Sequence, residues 1–349
     1  MAERVTELCA AGELVASPPA AVARLRALGV HRLVVPIPFE EEGPVNVFVI
    51  ENAPALGGVT LFDTGVNTPE GQAALLDGLA GLGLRAADVR RVILSHGHID
   101  HGGNAHLFPE AELWAHPEEA GLMSGLGAWE RTLLEPWQTF LKTLGLDEAE
   151  VAQQLNGLQR FQAMVTPATA SGALADGQRF QFDRFEAEIL HVPGHTQGIC
   201  VLFAEAEGLL FSGDHLLEHT SPNPVMEPTG PGGARRPALV SYQRQLRRVQ
   251  ALEIEWVLPG HGPLWTGHSA HIDRLCTFYQ RRQRKIAQVM EREGVETVAE
   301  ISAAVFGGAY KRAPFLVLSE VLGNLEVLEA DGRADVQRDS SGYDRWIVV

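Results

Sequence analysis

One stretch constrains this chain more than any other: Val92-Ile93-Leu94-Ser95-His96-Gly97-His98-Ile99-Asp100-His101. An apolar run that reads as a buried strand feeds a loop with three histidines and an aspartate in six positions. Imidazole and carboxylate are the donors that suit Zn²⁺ and other divalent transition metals. His96 and His98 stand two apart, so in extended backbone they project to the same side. Asp100 and His101 follow at the start of a predicted helix and can face a second metal position beside the first. With 13 histidines in 349 residues, chance is a poor explanation of this cluster.

Three later segments carry further donors. Pro193-Gly194-His195-Thr196-Gln197-Gly198 follows a predicted strand at 187–192, Phe211-Ser212-Gly213-Asp214-His215 closes one at 209–211, and Pro259-Gly260-His261-Gly262 follows one at 256–258. Each is an apolar run, then glycine, then His or Asp. Strand ends along one sheet edge are where sites are assembled, and glycine beside a donor permits a tight turn. Any of these segments alone is better read as a cap or a core residue. Beside residues 96–101 they read as the rest of a ligand set.

Further strands are predicted at 32–36, 45–50, 59–62, 91–94 and 199–203, with helices at 69–79 and 240–252. This mixture predicts an α/β protein with helices outside paired sheets. Residues 117–174 lack strand signals and show helical spacing at Trp137, Phe140, Leu141 and Leu144, so they read as a helical insertion, either a covering layer or a substrate lid. Beyond residue 266 the pattern changes to helices at 271–293, 298–306 and 314–330, then strands at 333–338 and 343–349 around a turn. That order predicts a small winged-helix-like domain at 267–349 behind a catalytic domain at 1–266.

Apolar residues make up 45% of the chain, enough for a large core. Cys9, Cys200 and Cys276 are too few and scattered for a disulfide framework. Glu3, Arg4 and Glu7 with no apolar stretch after them predict no signal peptide, and no apolar run is long enough to span a bilayer, so a cytoplasmic protein without membrane contact is expected. The net charge of −16 weighs against a phosphate backbone as the main substrate.

Taken in order, His-x-His-x-Asp-His, Gly-His, Gly-Asp and Gly-His-Gly resemble the metallo-β-lactamase superfamily, and Asn46-Val47-Phe48 and Phe62-Asp63-Thr64-Gly65 extend the likeness over roughly residues 30–265. The resemblance implies an αββα sandwich with metals at one sheet edge. It implies that His96, His98 and His195 hold one divalent ion, that Asp100, His101 and His261 hold a second, and that Asp214 bridges them. Zinc is the first expectation; iron or manganese suits the same donors. Asp63 is expected to support the loop without being a ligand. His215 is left between a supporting and a surface role, and His219 is a candidate pocket-border residue. Two such ions would bring the pKa of a bound water toward ~7 and so would supply a hydroxide for attack on a carbonyl or phosphoryl centre. Asp100 and Asp214 are the expected catalytic residues.

His98 in place of Glu argues against flavodiiron-type oxygen chemistry, and Asp214 argues against secreted β-lactam hydrolysis. Arg284-Lys285-Ile286, Thr297-Val298-Ala299-Glu300-Ile301 and the Leu-rich helix at 317–328 resemble the winged-helix extension of the β-lactamase-like-protein-2 group. The implied activity is cleavage of a small ester-like substrate: a thioester of hydroxyacylglutathione or acyl-CoA type first, a lactone second. The alternative is a single-stranded nucleic-acid endonuclease using the winged helix. Glu320, Glu326, Glu329 and Asp331 are expected to repel a phosphate backbone, leaving packing or homodimerisation as the use of this domain. Arg281, Arg282, Arg284 and Lys285 form the best basic patch.

Overall fold

The computed structural model describes residues 5–8, 14–38, 43–229 and 235–349; Glu3, Arg4 and Cys9 lie outside them. A two-stranded ladder, β1 (Val5–Leu8) against β2 (Leu14–Ser17), leads into α1 (Pro19–Ala27). Six strands then form one sheet in spatial order: β3 (Val30–Val35), β4 (Val45–Glu51), β5 (Val59–Phe62), β6 (Val89–Ile93), β7 (Glu112–Ala115) and β8 (Gly172–Ala173). Pairing is antiparallel from β3 to β5 and parallel from β5 to β8. Helix α2 (Pro69–Gly81) and the one-turn α3 (Ile99–Gly102) flank β6, while α4 (Leu126–Thr143) and α5 (Glu148–Ala163) fill the excursion between β7 and β8. The second sheet holds β9 (Arg179–Gln181), β10 (Glu186–His191), β11 (Cys200–Ala204), β12 (Leu209–Gly213) and β13 (Trp256–Pro259), with α6 (Ala238–Gln250) crossing over to make β13 parallel to β12. The chain ends in α7 (His268–Glu293), α8 (Val298–Phe306), α9 (Gly308–Arg312), α10 (Pro314–Ala330) and the hairpin β14 (Ala334–Arg338) and β15 (Asp344–Val348).

Side-chain alternation explains the layering. On β4, Phe48 and Ile50 point between the sheets, where they meet Ile189, Leu202 and Phe211 of the second sheet; Val47 and Val49 point outward to Leu75 and Leu79 of α2. On β11, Cys200 and Leu202 face the first sheet, while Val201 and Phe203 face Tyr242 and Leu246 of α6. Both faces of each sheet are therefore covered by apolar side chains, which is why these strands read as uninterrupted apolar runs. The result is the expected αββα sandwich.

A fourth core joins two regions that are distant in sequence. Trp137, Phe140 and Leu141 of α4 pack with Ile286 and Met290 of α7, Ile301 of α8, Leu318 and Leu325 of α10, and Trp346 of β15. The insertion and the C-terminal helices thus bury one another. Helix α7 serves both layers: Ile272 and Tyr279 cover the second sheet, and Ile286 and Met290 enter the fourth core. Capping boxes set the starts of α5 (Asp147 with Glu150) and α8 (Thr297 with Glu300).

Several expectations are corrected. Strands β1, β2, β7, β8 and β9 are not among the predicted ones, and β8 lies inside 117–174, where no strand is expected. It is two residues long and leaves no periodicity to read. Helix α7 starts at His268 rather than 271, and α1 and α9 are additional. Two of the four acids expected on the acidic face of α10 fold inward, Glu320 meeting Arg282 at 3.1 Å and Glu326 meeting Arg235 at 2.8 Å, whereas Glu329 and Asp331 are exposed. The basic patch is also partly consumed. Arg282 lies over the rings of Phe278 and Phe306, and Lys285 donates to the Val305 carbonyl at 3.3 Å. Cys200 is buried and Cys276 half-buried, both as free thiols. Among the described residues no helix is long and apolar enough to cross a membrane.

Candidate metal centre

All seven predicted donors gather at one edge of the sandwich. His96 and His98 follow β6, and Asp100 and His101 sit on α3. His195 lies in the loop after β10, Asp214 directly after β12, and His261 just after β13. The donor atoms of His96, His98 and His195 lie within 4.8 Å of one another; so do those of His96, His101 and Asp214, and those of Asp100, His101 and His261.

Ring orientation is fixed from behind. His101 Nδ1 lies 2.8 Å from Asp63 Oδ2, His96 Nδ1 2.9 Å from Ser95 Oγ, His195 Nδ1 2.9 Å from the Asn223 carbonyl, and His261 Nδ1 3.2 Å from the Pro44 carbonyl. Each of these rings therefore turns its Nε2 inward, while His98 presents Nδ1. His96 Nε2 and His195 Nε2 stand 3.0 and 3.1 Å from His98 Nδ1. His261 Nε2 stands 3.2 Å from Asp100 Oδ2. Asp214 lies between the two groups, its Oδ1 3.4 Å from His101 Nε2 and its Oδ2 3.6 Å from His195 Nε2.

This arrangement fits divalent cations. His101 Nε2 and Asp214 Oδ1 are fully buried and have no hydrogen-bond partner, a costly state that a cation between them would relieve. Burial, reinforced by neighbouring imidazoles, holds His96 well below the usual histidine range and lowers His98 to about 3, so both are neutral, as ligands must be. Burial lowers His195 as well. Burial also opposes charge on His101, but Asp214, Asp100 and Asp63 outweigh it and raise this ring well above the usual range. Asp214 is held well below the usual carboxylate range against its own burial, chiefly by His101 and His261. The nest of carboxylates thus demands positive charge, from protons or from metal.

Asp63 supports the loop as expected. Its Oδ1 accepts from Ser95 N at 2.7 Å and its Oδ2 from Ser95 Oγ at 2.8 Å, and its own φ of 64° lies in the left-handed region that Asp tolerates. Glu119 was missed. This buried carboxylate accepts from Gly97 N at 2.7 Å, Gly198 N at 2.6 Å and Thr196 Oγ1 at 2.7 Å, and so ties the His96–His98 loop to the His195 loop. Its sequence setting, Pro117-Glu118-Glu119, reads as a solvated turn, and the long-range bonds leave no local signal. Gly213, with φ 47°, and Gly262, with φ 84°, take the left-handed backbone that a tight turn needs, whereas two other glycines have a different reason. A Cβ at Gly260 would collide with Asp214 Oδ1 and His101, and one at Gly198 with Glu119, so these positions supply space beside the donors.

His215 is buried against Tyr242, with ring centroids 5.3 Å apart, and is not part of the donor clusters. His219 is displaced from its predicted place: its side chain is exposed, pairs with Glu218 at 3.1 Å and does not line the cavity. That cavity, of about 1010 Å³, opens beside the donors. Gly97, His98 and Asp100 form its floor, and residues of α4, α5 and the start of α10 form its walls.

Known proteins share this architecture. The family model described as Metallo-beta-lactamase superfamily matches residues 41–261. The Bacillus subtilis protein named Probable metallo-hydrolase YqjP is 30% identical over 302 residues, covering 85% of this chain and 91% of that protein. An Aspergillus fumigatus protein named Atrochrysone carboxyl ACP thioesterase is 29% identical over 153 residues, 40% of this chain and 44% of that protein. Among solved structures, a metallo-beta-lactamase family protein from Thermus thermophilus superposes with a TM-score of 0.76 at 27% identity, covering 92% of this chain and 99% of that one.

Proposed function

The chain is a metallo-hydrolase of the metallo-β-lactamase superfamily, and from that premise we propose that it cleaves thioesters at a site holding two divalent cations. His96, His98 and His195 would hold one ion, Asp100, His101 and His261 the other, with Asp214 shared; the imidazole and carboxylate donors suit zinc first. Ions so bound supply Lewis acidity and make water nucleophilic near neutral pH.

The chain's own residues do the remaining work. Asp100 is both a donor-cluster residue and part of the cavity floor. From there its carboxylate would accept a hydrogen bond from the attacking water, take up its proton as the C–O bond forms, and return it to the thiolate released when the C–S bond breaks. Asp63, Ser95 and Glu119 keep the donor loops in register, so that little reorganisation is needed during reaction. The cavity walls exclude bulk water and hold the acyl group against the floor. A protein nucleophile is not required.

The observation that carries this reading is the convergence of seven His and Asp donors, two of which, His98 and Asp100, line a cavity large enough for a small organic substrate. We put thioesters ahead of lactones, a preference supported by the thioesterase name of the Aspergillus protein, which matches over 44% of its own length. The nucleic-acid alternative finds no comparable support: the net charge is −16, and Arg282 and Lys285 are engaged within the C-terminal region. The test is a panel of S-lactoylglutathione, an acyl-CoA, an acyl-homoserine lactone and single-stranded RNA, each with the wild-type chain and with His98→Ala. Thioester turnover lost in His98→Ala is expected. RNA cleavage lost in that variant, without any ester turnover, would overturn the reading.

A further inference from the structure

The cavity has a marked chemical asymmetry. Its floor is polar, with His98 and Asp100, whereas Leu133 and Trp137 of α4, Leu158 and Phe161 of α5, and Phe315 and Leu316 of α10 make its walls apolar. Most apolar side chains of this fold are buried in one of its four cores. Phe161 and Leu316 are not: they are 51% and 43% exposed, they come from different helices, and both line this cavity. Exposed apolar side chains around a concavity mark a site that an apolar group fills. The volume, about 1010 Å³, is at the upper end of the ~300–1,000 Å³ usual for ligand pockets.

The acidic residues along the cavity, Glu227 aside, are Asp100, Glu118 and Glu135, against Arg236. Arg236 is already engaged, with Nη1 2.9 Å from Glu118 Oε2. No other cationic side chain lines the cavity among the described residues. An acyl group ending in a second carboxylate would therefore meet like charge without a free counter-ion. Burial pushes the carboxyl of Glu227 up to about 8, which agrees with a cavity that holds negative charge poorly.

We propose that this cavity is an acyl pocket that selects uncharged, apolar acyl groups, seating them between α4, α5 and the start of α10 with the scissile carbonyl at the His98–Asp100 floor. The proposal deepens the hydrolase reading and rests on it only for the bond that is cut.

Trp129 and Trp137 line the cavity, so occupancy can be read by tryptophan fluorescence independently of turnover. The metal-loaded protein would be titrated with non-hydrolysable S-alkyl-N-acetylcysteamine thioethers from butyl to decyl, and with partners of equal length ending in a carboxylate. Kd is expected to fall about fourfold per added methylene until the cavity is filled. The carboxylate-ended partners should bind at least about tenfold more weakly. Phe161→Gln and Leu316→Gln, both at exposed positions, should flatten the chain-length dependence without lowering Tm, while Leu82→Gln, an exposed leucine away from the cavity, should leave it unchanged. A Kd independent of chain length, or equal for methyl- and carboxylate-ended ligands, would overturn the proposal. Hydrolysis of the matching thioesters separates the two readings. Turnover indifferent to chain length, with no graded binding, removes the acyl pocket but keeps the thioesterase; graded binding without turnover of any thioester does the reverse.

Discussion

The donor cluster and the cavity wall share the His98–Asp100 floor, yet they are held in different ways. At the sheet edge, directional bonds fix each ring: Asp63 to His101, Ser95 to His96, the Asn223 carbonyl to His195, and Glu119 to the backbone of both flanking loops. Across the cavity, α4 and α10 meet by close packing of Trp137, Phe140, Leu318 and Leu325 in the fourth core, and α10 is also braced by the ion pairs of Glu320 with Arg282 and of Glu326 with Arg235. Directional bonding specifies a geometry to a fraction of an ångström and tolerates little change. Packing tolerates substitution provided that volume is kept. On the proposed reading the contrast divides the duties: the polar edge would fix the reaction and the apolar wall the substrate.

Removing the carboxylate that lies between His101 and His195 should give the largest effect. Asp214→Ala is expected to lower kcat/KM on the order of 10³- to 10⁴-fold, while affinity for an alkyl thioether stays near that of wild type. Comparable losses of both would show that the two regions are not separable. Trp137→Ala should act in the opposite sense. It empties a buried site in the fourth core and is expected to cost about 3–5 kcal/mol of stability by chemical denaturation. The protein that remains folded should keep its metal content. Loss of metal in step with loss of the wall would break the comparison.

A smaller effect should appear in the pH dependence of stability. Burial lifts the Glu326 carboxyl to about 7, against the opposing pull of Arg235, with Glu329 and Asp344 also near that guanidinium. The unfolded carboxyl ionises near 4.5 and the folded one near 7. Stability from this group is therefore fully present below about pH 4.5 and is lost as pH rises through about 7. Glu326→Gln should flatten the stability profile in that window by roughly 3 kcal/mol at most. An unchanged slope between pH 5 and 7 would show that the pair is ionised throughout. The smallest change should come from Glu119→Gln, which keeps shape but cannot accept from Gly97 N and Gly198 N together. Metal affinity, followed by competition with a chelator, should fall about 10- to 100-fold, with alkyl-thioether affinity unchanged.

The same contrast governs how much of the molecule can be read from its residues. The donors are encoded locally: each follows a short apolar strand, and Gly194, Gly213 and Gly260 precede His195, Asp214 and His261. Strands β4, β5, β11, β12 and β13 are legible for the same reason, since both faces are covered and their apolar runs are continuous. Strands β7 and β9 escape notice because they are short and carry exposed polar residues, as at Glu112 and Arg179. Glu119 is invisible because all three of its bonds reach backbone or side chains distant from its own turn. The wall is hardest to foresee. Trp137 and Leu325 show ordinary helical spacing, and nothing local says that an insertion after β7 and a helix near the C-terminus will close on one core. The acids of α10 mislead for a related reason: Glu320 and Glu326 look like a solvated face until their arginine partners, one on α7 and one before α6, are brought to them.

Elemental analysis of the purified chain, coupled to thioester turnover before and after chelation, addresses the central claim most directly. Two divalent ions per chain are expected, with turnover abolished by chelation and restored by zinc. A chain free of metal that hydrolyses thioesters undiminished in excess chelator would contradict the account.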